Sequence, residues 1–188
     1  MKKAKLMSWE EAMEETKAPR EIQESLMLLT LKYYGYDERS SQGQIIVAKD
    51  LKDEIQEIFS SLYEAKFPIE KIIPMSEYGW NDHDSIRDNN TSAFNYRVIA
   101  GTNRLSHHAF GRAIDINPKV NPYLNKEGIS DPPGFLYNPN TYGTIIDDDI
   151  VVKTFLAYGW KWGGHWKQEE GRVDFQHFEK PFIEKPFN

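Results

Sequence analysis

Residues 106–117 read SHHAFGRAIDIN, and the second half of this stretch has the form of a short strand. Because side chains alternate along a strand, the two isoleucines can face the core while Asp115 projects to the opposite face. Gly111 permits a tight turn that returns His108 toward Asp115, and Ala113 leaves room beside them. The stretch therefore predicts a nitrogen and an oxygen ligand on one surface.

Residues 173–179 read VDFQHFE and supply a third candidate ligand, His177. Two neutral imidazoles and one carboxylate form a three-ligand zinc site whose fourth position stays open for water, as catalysis requires. The chain contains no cysteine, so a metal must be bound by His, Asp or Glu. We therefore predict a Zn²⁺ ion held by His108, Asp115 and His177.

A zinc-activated water also needs a base, and Asp174 is the natural candidate because it lies three residues before His177. The alternative is that Asp174 only orients a metal ligand. Strict strand alternation places the two residues on opposite faces. A bulge, or a position of Asp174 just outside the strand, must therefore bring them together.

Two further residues are candidates for contact with the substrate. Arg97 can supply the positive charge that a developing oxyanion needs, although it could instead pair with an acidic loop residue such as Asp88. We expect Ser106 to donate a hydrogen bond to the substrate, since adjacent Ser and His residues rarely meet in triad geometry. We thus predict Asp174 and Arg97 as catalytic residues and Ser106 as a substrate-binding residue.

The remaining histidines and the nearby tryptophans have simpler interpretations. Single histidines are more often structural than metal-binding, which applies to His83, His107 and His165. We expect three tryptophans to pack in the core around the site rather than to stack on sugar rings: Trp160, Trp162 and Trp166.

Capping residues and hydrophobic spacing predict the order of the elements. Helices are predicted from Trp9 to before Pro19 and over residues 19–35, 50–66 and 150–158. Strands are predicted over residues 44–49, 72–73, 93–99, 112–116, 160–162 and 173–178, with polar loops over residues 76–92 and 117–143. Helices followed by short strands favour an α+β fold with a small antiparallel sheet flanked by helices. We expect one domain over residues 1–188, with a mainly helical part over residues 1–70.

Composition restricts the function classes. Of the 188 residues, 39% are hydrophobic, which is enough for one hydrophobic core. The net charge of -6 argues against sequence-independent binding of nucleic acid. Residues 1–17 lack the apolar segment of a signal peptide, and no run approaches the ~18 apolar residues of a membrane helix. We expect neither a nucleic-acid partner nor a membrane span, and no signal peptide in this sequence.

Residues 78–179 resemble the zinc D-Ala-D-Ala peptidases. This family includes the D,D-carboxypeptidases and dipeptidases of vancomycin resistance and the L-alanyl-D-glutamate endolysins. The pattern Ser106-x-His108-x-x-Gly111-x-Ala113-x-Asp115 is similar to the ligand motif of the family, and Asp174-x-x-His177 is similar to its base-plus-ligand motif. Arg97 falls where family members carry an arginine that contacts the substrate carbonyl or the transition state.

The resemblance implies a zinc metallopeptidase core over residues 71–188, with a fold like that of hedgehog proteins and D-Ala-D-Ala peptidases. It implies action on peptidoglycan stem peptides at the cell envelope, most specifically as a D-alanyl-D-alanine carboxypeptidase, and we expect a monomer. Asp174, where many carboxypeptidases carry Glu, is similar to the endopeptidase branch, so an L-alanyl-D-glutamate endopeptidase is the alternative. A non-catalytic metal-binding or wall-binding module is the alternative from another class.

Overall fold

The computed structural model describes residues 5–166 and 171–182. The basic opening at residues 1–4, part of the stretch judged for a signal peptide, lies outside these ranges. The helices are α1 (Trp9–Ala12), α2 (Arg20–Glu24), α3 (Lys52–Glu64), α4 (Asp82–Arg87) and α5 (Ile150–Ala157). The strands are β1 (Leu26–Gly35), β2 (Ser40–Ala48), β3 (Pro68–Ile69), β4 (Lys71–Ile72), β5 (Asn90–Thr91), β6 (Ala113–Asp115), β7 (Tyr123–Leu124), β8 (Ser130–Asp131), β9 (Lys161–Trp162), β10 (Val173–Asp174) and β11 (His177–Glu179).

A long antiparallel hairpin, β1 with β2, corrects the prediction for the N-terminal part. The predicted helix over residues 19–35 is wrong beyond Glu24, because β1 begins at Leu26. Leu29, Leu31 and Tyr33 are buried while the residues between them are exposed, which is the period of a strand. Apolar residues fit a helical spacing here equally well, and only the pairing with residues 40–48 selects the strand. The described part of the predicted helical segment, residues 5–70, is therefore not mainly helical.

Helix α3 confirms the helix predicted over residues 50–66 and packs on the hairpin. Its apolar face buries Ile55, Ile58, Phe59 and Leu62, so its charged residues remain in solvent. The same hydrophobic cluster continues to Phe178 in the last strand. The N-terminal hairpin and the C-terminal strands therefore share a core.

The C-terminal part contains two small antiparallel sheets, β6-β11-β9 and β10-β7-β8. Strands β7 and β8 lie inside the segment predicted as a loop over residues 117–143, and α4 and β5 lie inside the loop predicted over residues 76–92. Elements this short, flanked by turn residues, leave no readable periodicity. The strand predicted over residues 93–99 is wrong, since the chain there contributes only an isolated bridge from Val98 to Leu105.

Helix α5 begins where the sequence predicts, because the side chain of Asp149 accepts a hydrogen bond from the backbone N–H of Val152 at 2.9 Å. Helices and small sheets thus occur together in one α+β arrangement, as predicted. None of the helices in the two described ranges combines the length and the apolar character needed to cross a membrane.

Candidate active site

A tight turn positions His108. The chain forms a 3₁₀ turn over His107–Phe110 and leaves it at Gly111, whose φ of 63° is in the left-handed region. A Cβ at Gly111 would lie 2.7 Å from the backbone nitrogen of Ala48 and 2.7 Å from a methyl group of Leu26. Glycine is therefore required both for the turn and for its close packing on the N-terminal hairpin.

The sheet positions Asp115 and His177. The two residues are direct partners in the antiparallel register of β6 and β11. The backbone of Asp115 is held on its other side by two hydrogen bonds with Ser92, of 2.8 and 3.0 Å. Phe178, the next residue on β11, points into the core and is fully buried. Asp115 and His177 therefore meet on the face opposite the core.

The three predicted metal ligands come together at this point. Nδ1 of His177 lies 3.0 Å from Oδ1 of Asp115 and 3.2 Å from Nε2 of His108. Nε2 of His108 lies 3.2 Å from Oδ2 of Asp115. Ligands that surround zinc tetrahedrally at about 2.0–2.1 Å are about 3.4 Å from one another. Both imidazoles are buried, and the set of two nitrogens and a carboxylate suits zinc. The residues present therefore fit a zinc ion.

The outer nitrogen of each imidazole also has a partner. Nδ1 of His108 lies 2.5 Å from the carbonyl oxygen of Ala93, and Nε2 of His177 lies 3.3 Å from a carboxylate oxygen of Glu179. Each ring can donate its outer N–H to an oxygen and leave the inner nitrogen with its lone pair toward the centre. His108 thus presents Nε2 to the centre, and His177 presents Nδ1.

The electrostatics of the cluster favour a cation. Burial by itself would raise the pKa of Asp115, but the two imidazoles hold that pKa well below its usual range. Burial by itself would lower the pKa of His177, but hydrogen bonds to Asp115 and Glu179 raise it to about 10. The carboxylates around His177 therefore favour a positive charge at this position. A metal ion at the centre would supply such a charge and would require the inner nitrogen of His177 to be deprotonated.

The main chain brings Asp174 to the same site through a break between two strands. Strand β10 pairs with β7, whereas β11 pairs with β6 and β9, and Phe175 and Gln176 form the turn between them. Trp162 holds this turn, because its indole N–H donates to the carbonyl oxygen of Phe175 at 3.0 Å. Asp174 thus lies outside the strand of His177, which resolves the conflict with strict alternation.

The environment of the Asp174 carboxyl group suits proton transfer. Burial raises its pKa to about 6, against the opposing effect of the charge on His177. Its Oδ1 atom is buried and has no hydrogen-bond partner within the described residues. A carboxylate with a pKa close to neutral and an unpaired oxygen is suited to accept a proton.

Arg97 and Ser106 line the same cleft. Arg97 forms an ion pair with Asp82, so the pairing partner considered from the sequence, Asp88, is not the one observed. The hydroxyl of Ser106 accepts a hydrogen bond from the backbone N–H of His108 at 3.3 Å and caps the 3₁₀ turn. Ser106 therefore supports the predicted metal ligand His108 in addition to facing the cleft.

The cleft has a volume of about 970 Å³, and the three ligands and Asp174 lie in its wall. Residues 100–180 match the family model of D-alanyl-D-alanine carboxypeptidase. This match confirms the family resemblance that the sequence motifs indicated. No curated protein and no solved structure matches the chain.

The segment that matches this family model contains Ser106, the three predicted ligands and Asp174, but it begins after Arg97. Two of the other histidines contact carboxylates outside the predicted ligand set. His83 lies 3.1 Å from Asp131, and His165 lies 3.2 Å from Asp147. Trp160 and Trp162 are buried in the core as expected, whereas the ring of Trp166 packs beside His177 at 5.2 Å between centroids.

Sequence reasoning missed Glu179, which contacts the outer nitrogen of His177. The signal was available, because residues two apart on a strand project to the same face. Gly163 was likewise not predicted to have a role. A Cβ at this position would lie 2.5 Å from the carbonyl oxygen of Asp174 and 2.8 Å from the Cβ of Asp174. Both residues contact a candidate functional side chain: Glu179 contacts His177, and Gly163 packs against Asp174.

Replacing Gly163 with alanine is expected to displace Asp174 and lower kcat by about 10- to 100-fold, since a shift of about 1 Å can have that effect. Zinc content should remain unchanged, because the ligands lie on other segments. Steady-state kinetics and metal analysis of the purified variant would measure both. Ser60→Ala, which changes an exposed residue of α3, is the control and should retain full activity. Full activity in Gly163→Ala would contradict this role.

Proposed function

We propose that this protein is a zinc-dependent peptidase that hydrolyses an amide bond in peptidoglycan stem peptides, most specifically as a D-alanyl-D-alanine carboxypeptidase. One observation carries the proposal: His108, Asp115 and His177 converge in a cleft that also contains the carboxyl group of Asp174. The family match supports a peptidase that acts on a peptidoglycan-derived substrate.

Zinc bound by the three ligands would supply an activated water, by lowering its pKa to about 7, and would polarise the scissile carbonyl. The remaining chemistry belongs to the chain. The carboxylate of Asp174 accepts the proton of the attacking water and returns it to the nitrogen of the leaving amine. Burial, which raises the pKa of this carboxyl group, favours its taking up a proton before it returns that proton to the leaving amine.

Arg97 is proposed to stabilise the negative charge that develops on the carbonyl oxygen. The carboxylate of Asp82 pairs with this guanidinium and also accepts a hydrogen bond from Asn95 at 2.6 Å, so the arginine is anchored beside the cleft. The hydroxyl of Ser106 can donate to a polar group of the substrate while it accepts the backbone N–H of His108.

A carboxypeptidase must also neutralise the terminal carboxylate of its substrate. Basic side chains that line the cleft besides Arg97 are Arg104, Lys161 and Arg172. They support the carboxypeptidase assignment, since a carboxylate in a partly buried cleft needs a cation or several hydrogen-bond donors.

The alternative, an L-alanyl-D-glutamate endopeptidase, has its own support. The base is Asp174 rather than Glu, which is similar to the endopeptidase branch of the family. The cleft volume of about 970 Å³ is at the upper end of the usual range for ligand sites, about 300–1,000 Å³, which leaves room on both sides of a scissile bond.

Incubation of the zinc-loaded protein with a purified pentapeptide muropeptide, followed by mass spectrometry, would test the proposal and identify the bond. Release of D-alanine alone is the expected result. Cleavage between L-alanine and D-glutamate would instead establish the endopeptidase. Zinc binding without turnover of either bond would contradict both enzymes and favour the non-catalytic binding module.

We also propose that the protein is a monomer with one domain over residues 1–188 and a fold related to that of hedgehog proteins. We propose that it acts at the cell envelope. The hydrophobic cluster that joins the N-terminal hairpin to Phe178 supports the single domain.

A further inference from the structure

The two imidazoles of the site present different nitrogens to its centre. His108 directs Nε2 inward, and its Nδ1 faces the carbonyl oxygen of Ala93. His177 directs Nδ1 inward, toward Oδ1 of Asp115, so its Nε2 points away from the centre. Because a neutral imidazole carries one proton, a ring that ligates through Nδ1 must carry its proton on Nε2.

Oδ1 of Asp115, 3.0 Å from Nδ1 of His177, could instead hold the proton on the inner nitrogen. At this site the nearest acceptor to Nε2 of His177 is the carboxylate of Glu179, at 3.3 Å. This carboxylate lies on the far side of the ring from Asp115 and His108, and it does not belong to the group of candidate ligands. Its contact therefore bears on the orientation and tautomer of the ring rather than on direct binding of the metal.

The backbone fixes this arrangement. His177 and Glu179 are two residues apart on β11 and share one face, while Phe178 between them is buried in the core. Strand β11 is the central strand of its sheet, with β6 on one side and β9 on the other. The carboxylate is mostly buried, with 22% of the side chain exposed, and Nδ1 of His107 lies 4.0 Å away. Glu179 is thus held beside the ring with little freedom to move away.

We propose that Glu179 is a positioning residue for the zinc site, because it accepts the Nε2–H of His177 and thereby directs Nδ1 to the metal. This inference rests on the zinc site proposed above. A carboxylate in this role also increases the basicity of the imidazole, which the neutral carbonyl of Ala93 does more weakly for His108. The orientation of His177 is therefore expected to depend on a carboxylate, and that of His108 on a backbone carbonyl.

The proposal predicts that Glu179→Ala weakens zinc binding by about 10- to 100-fold, the usual effect of removing such a partner from a ligating histidine. Glu179→Gln should retain most of the affinity, because its amide oxygen can still accept the hydrogen bond. The dissociation constant can be measured by competition with a chromophoric chelator. Glu64→Ala, which removes an exposed carboxylate from α3, is the matched control and should bind zinc like the parent protein.

A second measurement does not depend on the folding of any variant. Long-range ¹H–¹⁵N spectra of the zinc-loaded parent protein should show His177 protonated on Nε2 and His108 protonated on Nδ1. Protonation of His177 on Nδ1 would overturn the proposal. An unchanged zinc affinity in Glu179→Ala would overturn it as well. A parent protein that binds no zinc would instead contradict the proposed function, so the two failures can be told apart.

Discussion

Replacing His108 with alanine is expected to abolish zinc binding and, with it, hydrolysis of stem peptides. The side chain offers one of the three proposed ligand atoms, and the two that remain, from Asp115 and His177, would form an incomplete site. Removing the buried ring also leaves the carbonyl oxygen of Ala93 without its partner. Metal analysis of the purified variant should fall from one zinc per chain to none, and muropeptides should remain uncleaved.

His83→Ala is a suitable control for the metal analysis. This histidine also faces the cleft, but it is half exposed and pairs with Asp131 rather than with the ligand cluster. Its removal should leave the zinc content at one per chain. Full zinc content in His108→Ala would refute the proposed ligand set. Loss of zinc from both variants would instead indicate a general loss of structure, which circular dichroism would reveal.

The second large effect is expected for Asp174→Ala, which should retain zinc and lose activity. General-base catalysis by a positioned side chain typically contributes about 10²- to 10⁴-fold, and kcat should fall by that factor. The ligands should keep their positions, because the backbone of Asp174 is held in the separate strand pair of β10 and β7. Single-turnover kinetics with a zinc-loaded sample would measure the loss of the chemical step directly.

The alternative role for Asp174, orientation of a metal ligand, predicts a different result. In that case the variant would bind zinc more weakly, and its activity would recover when zinc is added in excess. Undiminished activity at full zinc content would exclude Asp174 as the base. Asp174→Asn is a useful companion, since it preserves the shape of the side chain but cannot accept a proton from water.

The prediction from sequence succeeded where a residue type and a short spacing together restrict the geometry. Gly111 indicates a tight turn, and the turn over His107–Phe110 brings His108 close to Asp115. The helix over residues 50–66 and the cap at Asp149 were equally readable, because their signals lie within a single element. Local patterns of this kind need no knowledge of distant partners.

Prediction failed where distant partners decide the local structure. The apolar residues of β1 fit a helical spacing as well as a strand, and the pairing with β2 makes the choice. Strands β7 and β8 are two residues long and exist because they pair with each other and with β10. The ion pair of Arg97 with Asp82, rather than with Asp88, likewise depends on how the chain folds between them.

The sequence by itself determined which residues could bind a metal, because a chain without cysteine offers only His, Asp and Glu, and the motif spacing selects three of them. Only the tertiary structure decided how these residues meet. The register of β6 and β11 places Asp115 opposite His177, and a turn between two separate strand pairs brings Asp174 to the same cleft. The physical reason is that strand register depends on hydrogen bonds between residues about 60 positions apart, which a local pattern does not encode.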